Sequence, residues 1–165
     1  MAIQGISPIR FESVSAVTAT PSVELGTRVT DGGVDYVYCY NAGAATIGQG
    51  KMGRLSPSSL SSGYSVVVSN PASQSGGHFV VGVAHNAAVP AANYGWLAAR
   101  GVVYASLDAS EVSMNSGDIV VPGVDGGFVA APATLSTGVH LGVALNSLVT
   151  TVGTGKIMFK SPLFG

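Results

Sequence analysis

The chain has 165 residues, of which only 9% are charged while 47% are hydrophobic, and its mean hydropathy is +0.44. Ordinary soluble domains carry about 25% charged residues, and free monomers use surface charge to stay soluble, so this composition predicts permanent assembly with much of the surface covered. A formal net charge of −1 and scattered basic residues (Arg10, Arg28, Lys51, Arg54, Arg100, Lys156, Lys160) argue against nucleic-acid binding, which needs clustered Lys and Arg. The single cysteine, Cys39, excludes an intrachain disulfide. Met1 to Arg10 lacks a leader's early positive charge and apolar core, so no secretory signal is expected. The most apolar stretch, Phe79 to Ala92, is interrupted by His85, Asn86 and Pro90, and falls short of the roughly 20 residues of a membrane helix.

Twenty-three glycines and eight prolines among many Val, Thr and Ser leave little room for helices, and short apolar runs punctuated by Gly, Pro, Asn and Asp predict an all-β chain. Residues 1–21 read as an extended N-terminal arm or as a first strand, with Ile3, Ile6, Ile9 and Phe11 separated by Gly5 and Pro8 and a strand over Phe11 to Thr20. Residues 22–165 form the β-rich domain. Val23 to Tyr40 is a hairpin around Asp31-Gly32-Gly33. Val23, Leu25, Thr27 and Val29 share one face with Tyr36, Tyr38 and Tyr40. An Asp31-Gly32 loop sets Arg28 opposite Asp35; a Gly32-Gly33 loop keeps the same faces and makes that pair diagonal.

Asn41 to Gly53 reads as turns, and Ser56 to Gly63 as a loop or a single helical turn. Strands follow at Tyr64 to Asn70, at Phe79 to His85 with apolar residues on both faces, and over Tyr94 to Leu107, where Gly101 suggests a bulge. Asp118 to Val121, Phe128 to Ala131, Val139 to Leu145 and Lys156 to Lys160 complete about ten strands, which suits a small barrel or sandwich. One pattern recurs: Gly82-Val83-Ala84-His85-Asn86 returns as Gly142-Val143-Ala144-Leu145-Asn146. Each copy is followed by a glycine (Gly95, Gly155) and an apolar run, so one strand–loop–strand unit is expected twice.

Catalytic chemistry needs convergent donors, acceptors or nucleophiles. His78, His85 and His140 show no metal-ligand spacing, no Gly-x-Ser-x-Gly elbow occurs, and Gly48-Gln49-Gly50-Lys51 lacks the phosphate-loop pattern. None of the eight acids is singled out by its neighbours. The expectation is a protein that is not an enzyme, with no catalytic residue, cofactor or metal. Trp96, beside Gly95 and before Arg100, reads with that arginine as an interface anchor.

The segments Val81-Gly82-Val83-Ala84, Tyr94-Gly95-Trp96, Arg100-Gly101-Val102, Gly117-Asp118-Ile119-Val120-Val121 and Gly142-Val143-Ala144-Leu145 resemble those of the head decoration, or capsid cement, proteins of tailed bacteriophages. The resemblance covers roughly residues 34–160 as a pattern, without a sharp motif. It implies a β-tulip-like fold and a homotrimer bound to the major capsid protein on the outer surface of the virion, stabilising the icosahedral head. Neither nucleic acid nor membrane is implied as a partner. The arm residues Ile3, Ile6, Ile9, Arg10 and Phe11 are then the expected capsid contacts. A trimeric host-attachment or carbohydrate-binding module of a phage head or fibre is the alternative.

Overall fold

A computed structural model describes residues 13–55, 65–68, 80–109, 113–123, 125–131, 140–147 and 154–163. The expected arm contacts Ile3, Ile6, Ile9, Arg10 and Phe11 lie outside them, as does His78. The described residues are all-β: β1 (Arg28–Asp31), β2 (Val34–Asn41), β3 (Met52–Leu55), β4 (Ser65–Val68), β5 (Val80–Val83), β6 (Tyr94–Ser106), β7 (Ile119–Pro122), β8 (Phe128–Ala130), β9 (Gly142–Ala144) and β10 (Thr154–Lys160). They form one sheet in the order β1-β2-β4-β3-β5-β6-β10-β9-β7-β8, with a further pairing of β2 to β6. The sheet folds over itself as a small sandwich. β1 and β8 end the strand order, so the sheet as a whole is not closed into a barrel.

The first hairpin settles between its two possible registers. Asp31 pairs with Val34 and Arg28 with Val37, so Gly32-Gly33 is the loop, with φ of 57° and 79° at the two glycines. These positive angles suit a tight hairpin turn. Asp35 lies opposite Thr30 and accepts its hydroxyl hydrogen bond at 2.6 Å. The expected strand before this hairpin reduces, within the described residues, to one bridge between Thr18 and Tyr94. The Tyr38 hydroxyl accepts hydrogen bonds from the backbone N–H and side chain of Ser22, both at 3.1 Å. Val14 and Val23 pack against the core, so this segment lies along the domain.

β3 was not expected, since Asn41 to Gly53 reads as turns. Its short span is recruited by neighbours: it pairs β4 on one side and β5 on the other. The preceding loop is organised by buried Asn41, whose Nδ2 donates to the carbonyls of Ala45 and Val89, both at 2.9 Å.

The repeated pentapeptide marks a larger structural repeat. Val83 of β5 pairs with Ala98 of β6, and Val143 of β9 pairs with Met158 of β10, each residue sixty positions after its counterpart. The strand before each hairpin joins it in the same way. Gly50 N–H bonds to the Ala84 carbonyl and Ala84 N–H to the Lys51 carbonyl; Gly117 N–H bonds to the Ala144 carbonyl and Ala144 N–H to the Asp118 carbonyl. Gly50 and Gly117 both have positive φ, 80° and 94°, in the turn that leads into the strand. The strand order therefore reads β4-β3-β5-β6 and then its mirror, β10-β9-β7-β8. The halves meet where β6 pairs antiparallel with β10, and Arg100 pairs with its own counterpart Lys160.

Gly101, at φ 118°, bends β6 near this seam, and Ala99 is the extra residue where Asp35 pairs Arg100 but Tyr36 pairs Ala98. One extra residue reverses which side chains face inward. Before the bend Trp96 and Ala98 join the large core cluster; after it Val103, Ala105 and Leu107 do. Val37, Cys39, Leu97 and Ala99 face the other way into a second cluster with Ile47, Val81, Ala84 and Val89. β2 and the first half of β6 are thus buried on both faces.

Gly82 and Gly142 hold equivalent places. A Cβ on Gly82 would lie 2.5 Å from the Ala98 carbonyl oxygen, and one on Gly142 would collide with the equivalent carbonyl of Met158. Gly82→Ala and Gly142→Ala should each destabilise the fold by about 1–3 kcal/mol, as overpacked sites do. Gly48→Ala, which meets only Lys51 Cγ at 3.5 Å, should change stability by less than about 0.5 kcal/mol. Urea unfolding midpoints check the contrast.

Candidate interaction face

β10 alternates without exception: Lys156, Met158 and Lys160 point outward, while Gly155, Ile157 and Phe159 are buried. On the outward face the register aligns four apolar side chains in one row across four adjacent strands. Val102 pairs with Met158, Met158 with Val143, and Val143 with Ile119. Their exposures are 40%, 49%, 41% and 41%. Three inter-strand gaps make the row about 14 Å long. Tyr104 and Leu145 extend it, both also exposed. Contiguous exposed apolar patches of this kind mark interaction sites, whereas single exposed residues do not.

Cations border the row. Lys156 pairs with Tyr104 across the strands, and Lys160 with Arg100. The Lys156 ammonium lies 5.7 Å from the centre of the Tyr104 ring, within cation–π range. At one end an open cavity of about 490 Å³ is lined by residues including Ile119, His140, Val143 and Lys160.

His85 fixes the Tyr104 corner. β5 stops at Val83 while β6 continues to Ser106, and His85 Nδ1 accepts the Tyr104 backbone N–H at 2.9 Å. The imidazole also stacks on the Tyr104 ring, with centroids 5.5 Å apart. An accepting Nδ1 carries no proton, so the ring is neutral. Burial lowers its pKa below the usual histidine value, in the same direction. Asn86 donates to the hydroxyl of Tyr36 at 3.0 Å, extending the cluster inward.

The remaining chemistry-bearing groups do not converge among the described residues. Among the described residues no three His, Cys, Asp or Glu side chains are grouped to hold a metal ion. Burial pushes the Cys39 thiol far above its ordinary pKa, so it is an apolar core group and not a nucleophile. Buried Asp108 is structural: its Oδ2 accepts the Asp125 N–H at 2.8 Å, and its N–H donates to the Phe128 carbonyl at 2.9 Å. Lys51 holds the Asp125 carboxylate by both oxygens at 2.8 Å, at a partly exposed site.

Of the two expected anchors, Arg100 lies exposed at the seam beside the row, but Trp96 is corrected to a core residue. The strand's alternation turns it inward, where its ring sits 5.0 Å from that of Tyr38. The row itself carries no sequence signature, because the apolar run Ile157-Met158-Phe159 does not tell which of its residues faces outward.

No family model matches the chain, and no curated protein matches it in sequence. Among solved structures, the base of the head fibre protein gp8.5 of bacteriophage phi29 is similar over 76% of this chain and 95% of that one. The TM-score is 0.49 and the sequence identity 13%.

Because protonation of His85 would displace the Tyr104 N–H, its lowered pKa links stability to pH. The unfolded chain binds this proton below about pH 6.5, before the folded state does. The contribution is therefore complete above pH 6.5 and is lost as pH falls through the folded pKa. His85→Gln should flatten this part of the slope, read from urea midpoints between pH 7.5 and 5.

Asp108→Ala removes a buried, charged acceptor from the Asp125 N–H and should cost about 1–3 kcal/mol. Lys51→Gln breaks only a partly exposed ion pair and should cost less than about 1 kcal/mol. Thermal or urea unfolding of the two variants separates the buried acceptor from the surface pair.

Proposed function

We propose that the protein is a non-catalytic structural component of a tailed-bacteriophage virion, binding the outer capsid surface as a homotrimer and stabilising the head. The observation that carries the assembly in this reading is the exposed row Val102, Met158, Val143 and Ile119. A face of this kind binds proteins; it offers no acid, base or nucleophile in working geometry. The scarcity of charge in the whole chain supports the same reading, since much of the surface has to be covered for such a protein to stay dispersed. The sequence resemblance to head decoration proteins supplies the class of partner, the major capsid protein.

The mechanism is linkage. A protein that binds the assembled shell and not its dissociated subunits stabilises the shell by mass action. Three copies joined in one particle raise the effective concentration of each attachment point for its neighbours. No cofactor or metal takes part.

Sedimentation of the purified protein with intact, expanded heads of its phage tests the proposal. Saturable binding at a fixed copy number, together with a higher melting temperature of decorated heads, is expected. Deleting residues 2–11 should abolish binding if the arm supplies the shell contacts. Heads that neither bind the protein nor gain thermal stability from it would overturn the reading.

A further inference from the structure

The two halves of the sheet treat the same face differently. The counterparts of Ile119, Val143 and Met158 in the first half are Met52, Val83 and Ala98, from the matched registers and hydrogen bonds of the two hairpins. All three are 0% exposed. They belong to one buried cluster with Val120, Ala144, Ile157 and Phe159, which line the inner face of the second half. The first repeat's outer face is therefore covered by the inner side of the second. The second repeat's outer face has the same apolar positions, as Ile119, Val143 and, in place of Ala98, the larger Met158, and among the described residues no third repeat covers it.

We propose that this face, on β6, β10, β9 and β7, is a subunit interface, and that its occupant is a second copy of this chain. Charge selects the geometry. The face is bordered by Lys156 and Lys160, and neither forms an ion pair with a described carboxylate, whereas Arg100 already lies opposite Asp35 of its own first hairpin. A two-fold contact of the face with itself would bring these cations together. The first hairpin of the same chain exposes two further carboxylates, Glu24 and Asp31. A head-to-tail contact sets this hairpin against the cationic border of the next copy, and such contacts close into rings when the rotation allows.

The dimensions agree. The row is about 14 Å across the strands, and Arg100 to Tyr104 adds about 13 Å along them. That is the apolar centre of a standard interface, which takes about 800 Å² from each partner with a polar rim around it. This inference deepens the proposed homotrimer by naming its surface, and it rests on self-association but not on capsid binding.

Native mass spectrometry and sedimentation velocity of the full chain, from 1 to 100 µM, test it (concentrations of about the range where such interfaces associate). The wild type is expected to assemble. Val143→Asp and Met158→Asp, both at exposed positions, should each weaken assembly more than about tenfold without moving the urea midpoint measured at concentrations where the wild type is dissociated. Lys156→Glu with Lys160→Glu should weaken it too, and adding Glu24→Lys and Asp31→Lys should restore it. Oxidative footprinting of the unmodified protein gives a readout free of folding effects: Met158 should be protected in the assembled state and react when diluted. A wild type that stays monomeric overturns both the oligomer and this interface. Assembly with Met158 still reactive, or unaffected by Val143→Asp and Met158→Asp, overturns the interface and leaves the oligomer standing.

Discussion

The antiparallel pairing of β6 with β10 is the contact on which the molecule depends. Seven residue pairs, from Arg100–Lys160 to Ser106–Thr154, join the two halves of the sheet. β6 is the longest of the described strands, at 13 residues, and it also pairs β2 and β5. It can serve both halves only because it bends at Gly101. A Cβ there would sit 2.8 Å from the Gly33 carbonyl oxygen, and φ of 118° is outside the comfortable range of other residues. Without the bend the second half would extend the sheet edgewise instead of folding over the first.

This bend explains the distribution of exposed surface. The first half is covered on both faces, one by its own loop residues Ile47 and Val89 and the other by the large core. The second half is covered on its inner face alone. The apolar row is the structural consequence of two equivalent units in which one supplies the cover for the other. Its exposure follows from topology, not from a local choice of residue. A sheet face of this breadth is a liability in a free monomer, which ties the row back to the low charge of the chain.

Much of this was readable in the residues. Asp31-Gly32-Gly33 announced its hairpin, and Gly101 its bulge, because glycine in those settings marks backbone that other residues resist. The pentapeptides at Gly82 and Gly142 announced the repeat, since a small residue is required wherever a neighbouring carbonyl approaches this closely. The extension of the repeat to β3 and β7 was hidden. Gly50-Lys51-Met52-Gly53 and Gly117-Asp118-Ile119-Val120 share a single glycine, and their likeness lies in backbone hydrogen bonds that any side chain permits. β3 itself was invisible for a related reason: a four-residue strand containing glycine has little propensity of its own and is held by the strands on either side.

Trp96 was misjudged and the row around Met158 was not seen, for reasons that share a cause. An aromatic near an arginine resembles an anchor, and an unbroken Ile-Met-Phe run does not say which of its side chains is left open. Composition tells that a strand has apolar residues on two sides; it does not tell which side meets another sheet. That is decided by strand order and by the parity shift at the bulge, both non-local. Trp96 lies before the bend, where both faces of β6 are enclosed, and Val102 after it, where one face is open. A few residues along one strand separate a core position from a surface one. The surface that matters for assembly in this protein is therefore set by the fold's internal repetition, and a substitution that moved the bulge would redraw it without touching a residue in the row.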